Sequence, residues 1–100
     1  AYLLDVLEHI EHANQDQFLC NVRSSVRKHG KVIIGMPSLE SQVYASPASK
    51  AGHVNCQSKK ALRNSLLKVF PSVTVFSMND EVMHTGFDGM SQYLLALCIC

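Results

Sequence analysis

Lys31-Val-Ile-Ile-Gly-Met-Pro37 is the stretch on which the fold turns. A β-branched run of this length, stopped by proline, predicts a strand, and its lack of polar alternation predicts burial on both faces, as in a parallel sheet. Upstream, Asn14-x-x-Gln17 offers a capping pair, and Phe18, Leu19, Val22 and Val26 fall on one helical face. Lys28 and His29 suit the negative end of the helix, with Gly30 free to turn left-handed just past it. A helix over about 15–29 follows. Before it, Ala1-Tyr-Leu-Leu-Asp-Val6 reads as a short strand. The three segments make a β-α-β unit with parallel strands.

Outward from this unit, residues 38–57 are rich in Ser, Ala, Pro, Gly and Gln without a clear period. A stretch of that length over a parallel sheet predicts a lid or substrate loop. Ser58 then caps a second helix carrying Leu62, Leu66, Val69 and Phe70 on one face, and Pro71 closes it. Ser72 to Ser77 alternates as a strand and Ser91 to Cys100 reads as another. With no helix between these two, they are expected to pair antiparallel. The order β-α-β-loop-α-β-β predicts an α/β fold with an antiparallel last strand, whose parallel part needs helices over both faces. Residues 1–100 are expected to form a single, partial domain. Tyr2-Leu3-Leu4 is too apolar for an open edge, so a neighbouring strand is expected beside it, and self-association through it if that edge stays bare.

Composition narrows the function classes. Nine basic and eight acidic side chains leave a net charge of +1, which argues against bulk binding to a phosphate backbone. The longest apolar run, Tyr93 to Cys100, falls well short of the roughly 20 residues of a membrane span. Cys20, Cys56, Cys98 and Cys100 form no Cys-x-x-Cys pair, and reduced thiols in a cytoplasmic setting are expected. Phe76, Met78, Met83, Phe87 and Met90 are expected to be packing residues, with Met83 and Phe87 able to shape a pocket rim.

Asp5-Val-Leu-Glu-His9-Ile10, then a helix, then Gly30-Lys-Val-Ile-Ile-Gly-Met-Pro37, resembles the fourth strand, fourth helix and fifth strand of class I S-adenosylmethionine-dependent methyltransferases, the small-molecule group above all. Gly52-His-Val-Asn55, the helix ending at Phe70, the Val-rich strand and the antiparallel last strand continue the resemblance in order. It implies the C-terminal half of a three-layer, Rossmann-like methyltransferase fold, S-adenosylmethionine as cofactor and a small-molecule acceptor. The five glycines (Gly30, Gly35, Gly52, Gly86, Gly89) never form the family's Gly-x-Gly, and its ribose-binding acidic residue is absent. The chain is therefore expected to be the C-terminal portion of such an enzyme, weak or inactive by itself, and residue roles refer to the parent.

Methyl transfer is an in-line displacement in which positioning and exclusion of water account for roughly 7–11 kcal/mol. The resemblance implies that the backbone at Leu4 and Asp5 touches the methionine part of the cofactor. Asp5-x-x-Glu8-His9 is similar to the acidic-x-x-Glu-His motif of ubiquinone-type O-methyltransferases, which implies a divalent cation on Asp5, Glu8 and His9, with Asp in place of the first Glu. His9 is also a structural or acceptor-orienting candidate. His53, in the loop, and His84, between the last two strands, are candidate bases or orienting groups. Two other classes remain open: a non-catalytic, methyltransferase-like interaction module, and a metal-binding module built on Asp5, Glu8, His9 and His12.

Overall fold

In the computed structural model, which describes residues 1–80 and 82–100, the Lys31–Pro37 run is a strand, β2, but not a strand buried on both sides. Val32, Ile34 and Met36 are fully buried, whereas Ile33 between them is 39% exposed. β2 pairs in parallel with β1 (Tyr2–Leu4), Leu4 opposite Gly35. On its other side it pairs along its length with β5 (Tyr93–Ile99), antiparallel, Ile34 opposite Ala96. β3 (Ser72–Asn79) pairs antiparallel with the far edge of β5, and β4 (Val82–His84) closes the sheet as a hairpin on β3. The strand order is β1-β2-β5-β3-β4. The last strand thus returns antiparallel and inserts between two mutually parallel ones, while β4, too short to show a pattern, was not foreseen.

Alternation explains where the core lies. Val32, Ile34 and Met36 from β2, Val73 and Val75 from β3, and Leu94, Ala96 and Cys98 from β5 are all buried and belong to one cluster. α1 (His12–Ser24) closes that cluster with Leu19, and α3 (Lys59–Leu67) closes it with Leu62 and Leu66. Leu7, Val69 and Phe70 complete it. The described helices pack on one face, so among the described residues only two of the three implied layers are seen. On the other face Ile33, Phe76, Met83, Leu95 and Leu97 line a shallow apolar hollow. What stands is a mixed five-stranded α/β domain in two layers. β-branched side chains favour strand geometry whether or not their face is covered, so Ile33 carried no information about a second helical layer.

α1 corrects the expected 15–29 helix at both ends. Glu11 occupies its N-cap without a side-chain bond, and Gln17 donates to Asn21 Oδ1 at 3.0 Å rather than reaching back to Asn14. At the other end the left-handed residue is His29 (φ 63°), not Gly30. The His29 amide donates to the Cys100 carbonyl (3.1 Å) and the Cys100 amide to Gly30 (2.9 Å), which ties this turn to the end of β5. Gly30 is needed for space: a Cβ there would overlap Val26 Cγ1 and sit 2.8 Å from the Arg27 carbonyl.

Residues 38–57 are more ordered than their composition suggests. Glu40–Tyr44 forms a 3-10 turn, and α2 (Pro47–Gly52) starts from Ser46, whose hydroxyl accepts from the Ser49 amide at 3.2 Å. A parallel bridge between Ser38 and Gln57 joins the two ends of the excursion. Ser58 caps α3 as expected, accepting from the Ala61 amide (3.2 Å). β1 forms one edge of the sheet, with Tyr2 and Leu4 exposed. None of the four cysteines is in a disulfide, and among the described residues no helix is long and apolar enough to cross a membrane.

Candidate functional site

β1 ends at a left-handed residue. Asp5 has φ 57°, a conformation aspartate tolerates better than most side chains. Its amide donates to the Gly35 carbonyl (2.9 Å), and its Oδ1 accepts from the Tyr93 hydroxyl (3.0 Å). Tyr93 reaches Asp5 by crossing Gly35, where a Cβ would lie 2.6 Å from the phenol oxygen. Gly35 is the one place in β2 where absence of a side chain is required. Burial first, and the Asp5 carboxylate second, push the Tyr93 phenol well above its ordinary range. It serves as a hydrogen-bond donor rather than a base at neutral pH.

The sharp turn at Asp5 feeds a 3-10 turn, Leu7–His9, whose residues face different ways. Leu7 enters the core, Glu8 is 1% exposed, and the His9 ring stays at the surface. His9 Nδ1 lies 2.7 Å from the Gly52 carbonyl at the end of α2. The next residue, His53, has Nδ1 2.9 Å from Gln42 Oε1. The two imidazoles meet edge to face, 5.1 Å between centroids. Glu8 Oε1 is 3.8 Å from His9 Nε2, and Glu8 Oε2 is buried with no hydrogen-bond partner among the described residues. Burial raises the Glu8 carboxyl above its usual range and Asp5 adds to that, while a backbone hydrogen bond, His9 and His53 act in the opposite sense.

Beneath the cluster a set of buried amides holds the returning loop. The Asn55 amide N–H donates to the Glu8 carbonyl (3.0 Å). Gln15 Oε1 accepts from Asn55 Nδ2 (2.7 Å) and Gln57 Nε2 (2.6 Å), and Ser65 Oγ donates to Gln57 Oε1 (3.0 Å). α1, the end of the excursion and α3 are therefore joined through side chains whose burial is tolerable only when they are paired. Cys56 between them is no nucleophile: burial, then Glu8, push its thiol up to about 11.

Donor atoms of Glu8, His9 and His53 all lie within 4.8 Å of one another. Of the residues singled out in the sequence, Glu8, His9 and His53 are thus brought together, and Asp5 turns its carboxylate to Tyr93 instead. His12 contacts Asn55 Oδ1 at 3.4 Å, at the edge of the amide set. Leu4 is half exposed at the end of β1. His84 lies on β4, beside a surface hollow shared with Asn79, Asp80, Val82, Phe87 and Met90. Met83, Phe87 and Met90, expected to pack, are exposed, Phe87 by 74%. Sequence reading missed Gln42, Gln15 and Tyr93, which act only through partners distant in the chain. Compared with protein-family models, curated proteins and solved structures, the chain matches none.

Proposed function

We propose that this chain is the acceptor-side, C-terminal portion of a class I S-adenosylmethionine-dependent methyltransferase that acts on a small molecule. The observation that carries the reading is the meeting of Glu8, His9 and His53 just past the C-terminal end of β1, where open α/β sheets bind their ligands. Two further features support it: the antiparallel return of β5, and the loop of residues 38–57, which carries His53 to that edge.

The residues present fit one side of a cofactor site. Asp5, held left-handed and tied to both Gly35 and Tyr93, presents a rigid backbone corner with Leu4 exposed beside it. In the proposed enzyme this corner holds the methionine part of the cofactor. The cofactor supplies an electrophilic methyl group on a sulfonium. His9 and His53 orient the acceptor, and either imidazole can take its proton. The Gly52 carbonyl and the Gln42 side chain keep the two rings in place.

The bare sheet edge at β1 favours a second reading, a non-catalytic module of the same fold that works by strand addition. Calorimetric titration of S-adenosylhomocysteine into the protein, expressed from its complete reading frame, separates the two. Saturable one-to-one binding is expected, with His53→Ala lowering methyl transfer about 100-fold while leaving that affinity nearly unchanged. Absence of saturable heat would overturn the methyltransferase reading.

A further inference from the structure

α3 begins with charges that oppose one another. Its first turn carries Lys59 and Lys60 and no acidic residue, although cations are disfavoured at the positive end of a helix. Arg63 follows Lys59 at i+4, so two like charges share one helical face. The helix end itself is closed, because the Ser58 hydroxyl accepts from the Ala61 amide. Local conflicts of this kind collect at functional sites, where a ligand can offset them. The three cations border one groove. Lys59, Lys60 and Arg63 form one wall, and Thr85, Gly86 and Asp88, from the connection after β4, form the other, around a cavity of about 510 Å³. That volume lies within the roughly 300–1,000 Å³ of small-ligand pockets. The Lys59 side chain is only 16% exposed, and its ammonium has two long contacts, 3.4 Å to Asp88 Oδ1 and 3.4 Å to the Thr85 carbonyl. Neither is as short as the roughly 2.7–2.9 Å of a strong charge-assisted hydrogen bond. Lys60 and Arg63 are exposed and have no ion pair among the described residues. Asp88 therefore balances one cation of the three, which leaves two positive charges over the groove.

We propose that this groove between α3 and the connection after β4 binds a small dianion, the phosphate monoester of a metabolite-sized molecule. This assignment does not depend on the methyl-transfer reading. Two unbalanced positive charges match the roughly −1.5 to −2 that a phosphate monoester carries at neutral pH. The Arg63 guanidinium can grip two phosphate oxygens at once, while Lys59 and Lys60 act as point charges. A net charge of +1 over the chain is too low for a nucleic-acid strand, so the rest of the cavity takes the organic part of a small ligand. Asp88 competes with the phosphate for Lys59, and binding exchanges one long ion pair for shorter bonds to the ligand.

The test is titration of the complete protein with inorganic phosphate at constant ionic strength, read by backbone amide NMR. Saturable shifts at Lys59, Lys60, Thr85 and Gly86 are expected, with acetate binding at least about tenfold more weakly. Lys60→Gln and Arg63→Gln should each weaken phosphate binding about tenfold, and Lys68→Gln, at the far end of α3, by less than about twofold. Asp88→Asn should tighten it about threefold by releasing Lys59. Phosphate should raise the melting temperature of the parent more than that of a variant carrying both Lys60→Gln and Arg63→Gln. Without phosphate that variant should melt no lower than the parent, which separates loss of the site from loss of the fold. No saturable shifts, equal affinity for acetate, phosphate affinity unchanged in Arg63→Gln or lowered in Asp88→Asn, or binding of single-stranded oligonucleotides that tightens with their length would overturn the assignment.

Discussion

Glu8 is where residue-level chemistry is most exposed to test. Its carboxyl is raised above the ordinary 4.5 by burial, so the folded state holds that proton more tightly than the unfolded chain does. The ionised form therefore destabilises the fold above the raised value, and the penalty vanishes below about pH 4.5. Glu8→Gln is expected to raise stability at neutral pH by about 1 kcal/mol, a gain that thermal melts should show shrinking as pH falls. His29 gives a second handle. It is held at φ 63° while its ring makes no hydrogen bond among the described residues, and its amide bond to Cys100 is a backbone one that any residue keeps. His29→Gly should stabilise by about 1 kcal/mol, read from the denaturant midpoint at unchanged slope.

Among the elements, β2 and β1 share a constraint that runs through one atom's worth of space. Adding a Cβ at Gly35 would drive into Tyr93 and into Leu4 Cδ2 at 2.8 Å. Gly35→Ala is expected to cost about 1–3 kcal/mol and to release the Tyr93–Asp5 bond, seen as a tyrosine that titrates at lower pH than in the parent. α3 is the element its own sequence described best: Ser58 caps it and Leu62 and Leu66 face the core, but the helix ends at Leu67, and Val69 and Phe70 enter the core from beyond it. β2, β3 and β5 were legible as β-branched, alternating or continuously apolar runs next to Pro or Ser. α1 was placed wrongly because Asn14 and Gln17 are good capping residues that here sit inside the helix, with Gln17 bonded to Asn21. The cluster was legible only in part. Glu8 and His9 are neighbours in sequence, but His9 meets Gly52 across 43 positions, a closeness that only the fold creates.

Taken as a whole, the molecule is a two-layer domain whose buried thiols and phenol are kept neutral. Burial lifts Cys56 to about 11 and Cys98 to about 12, from an ordinary 9.0, and lifts Tyr93 as well. All three are neutral when protonated and have folded values above their unfolded ones. Their contribution to stability is complete below pH 9; that of the thiols is lost as pH rises from 9 to 12, and that of Tyr93 starts to go above pH 10. Equilibrium unfolding should accordingly show a steep fall across that window, with Cys56→Ser shallower than the parent if Cys56 contributes as the burial implies. The bare face lined by Ile33, Phe76, Leu95 and Leu97 was hidden from sequence reading, because an apolar strand looks alike whether one of its faces is covered or both.

The central claim is that the corner at Leu4 and Asp5 belongs to a cofactor site with His9 and His53 facing it. Backbone amide NMR of the complete protein, titrated with S-adenosylhomocysteine, tests this directly. Saturable shifts at Asp5, Val6 and His9, with His84 on β4 unaffected, are the predicted result. Absence of saturable shifts, or shifts confined to the β3–β4 hairpin, would contradict the account.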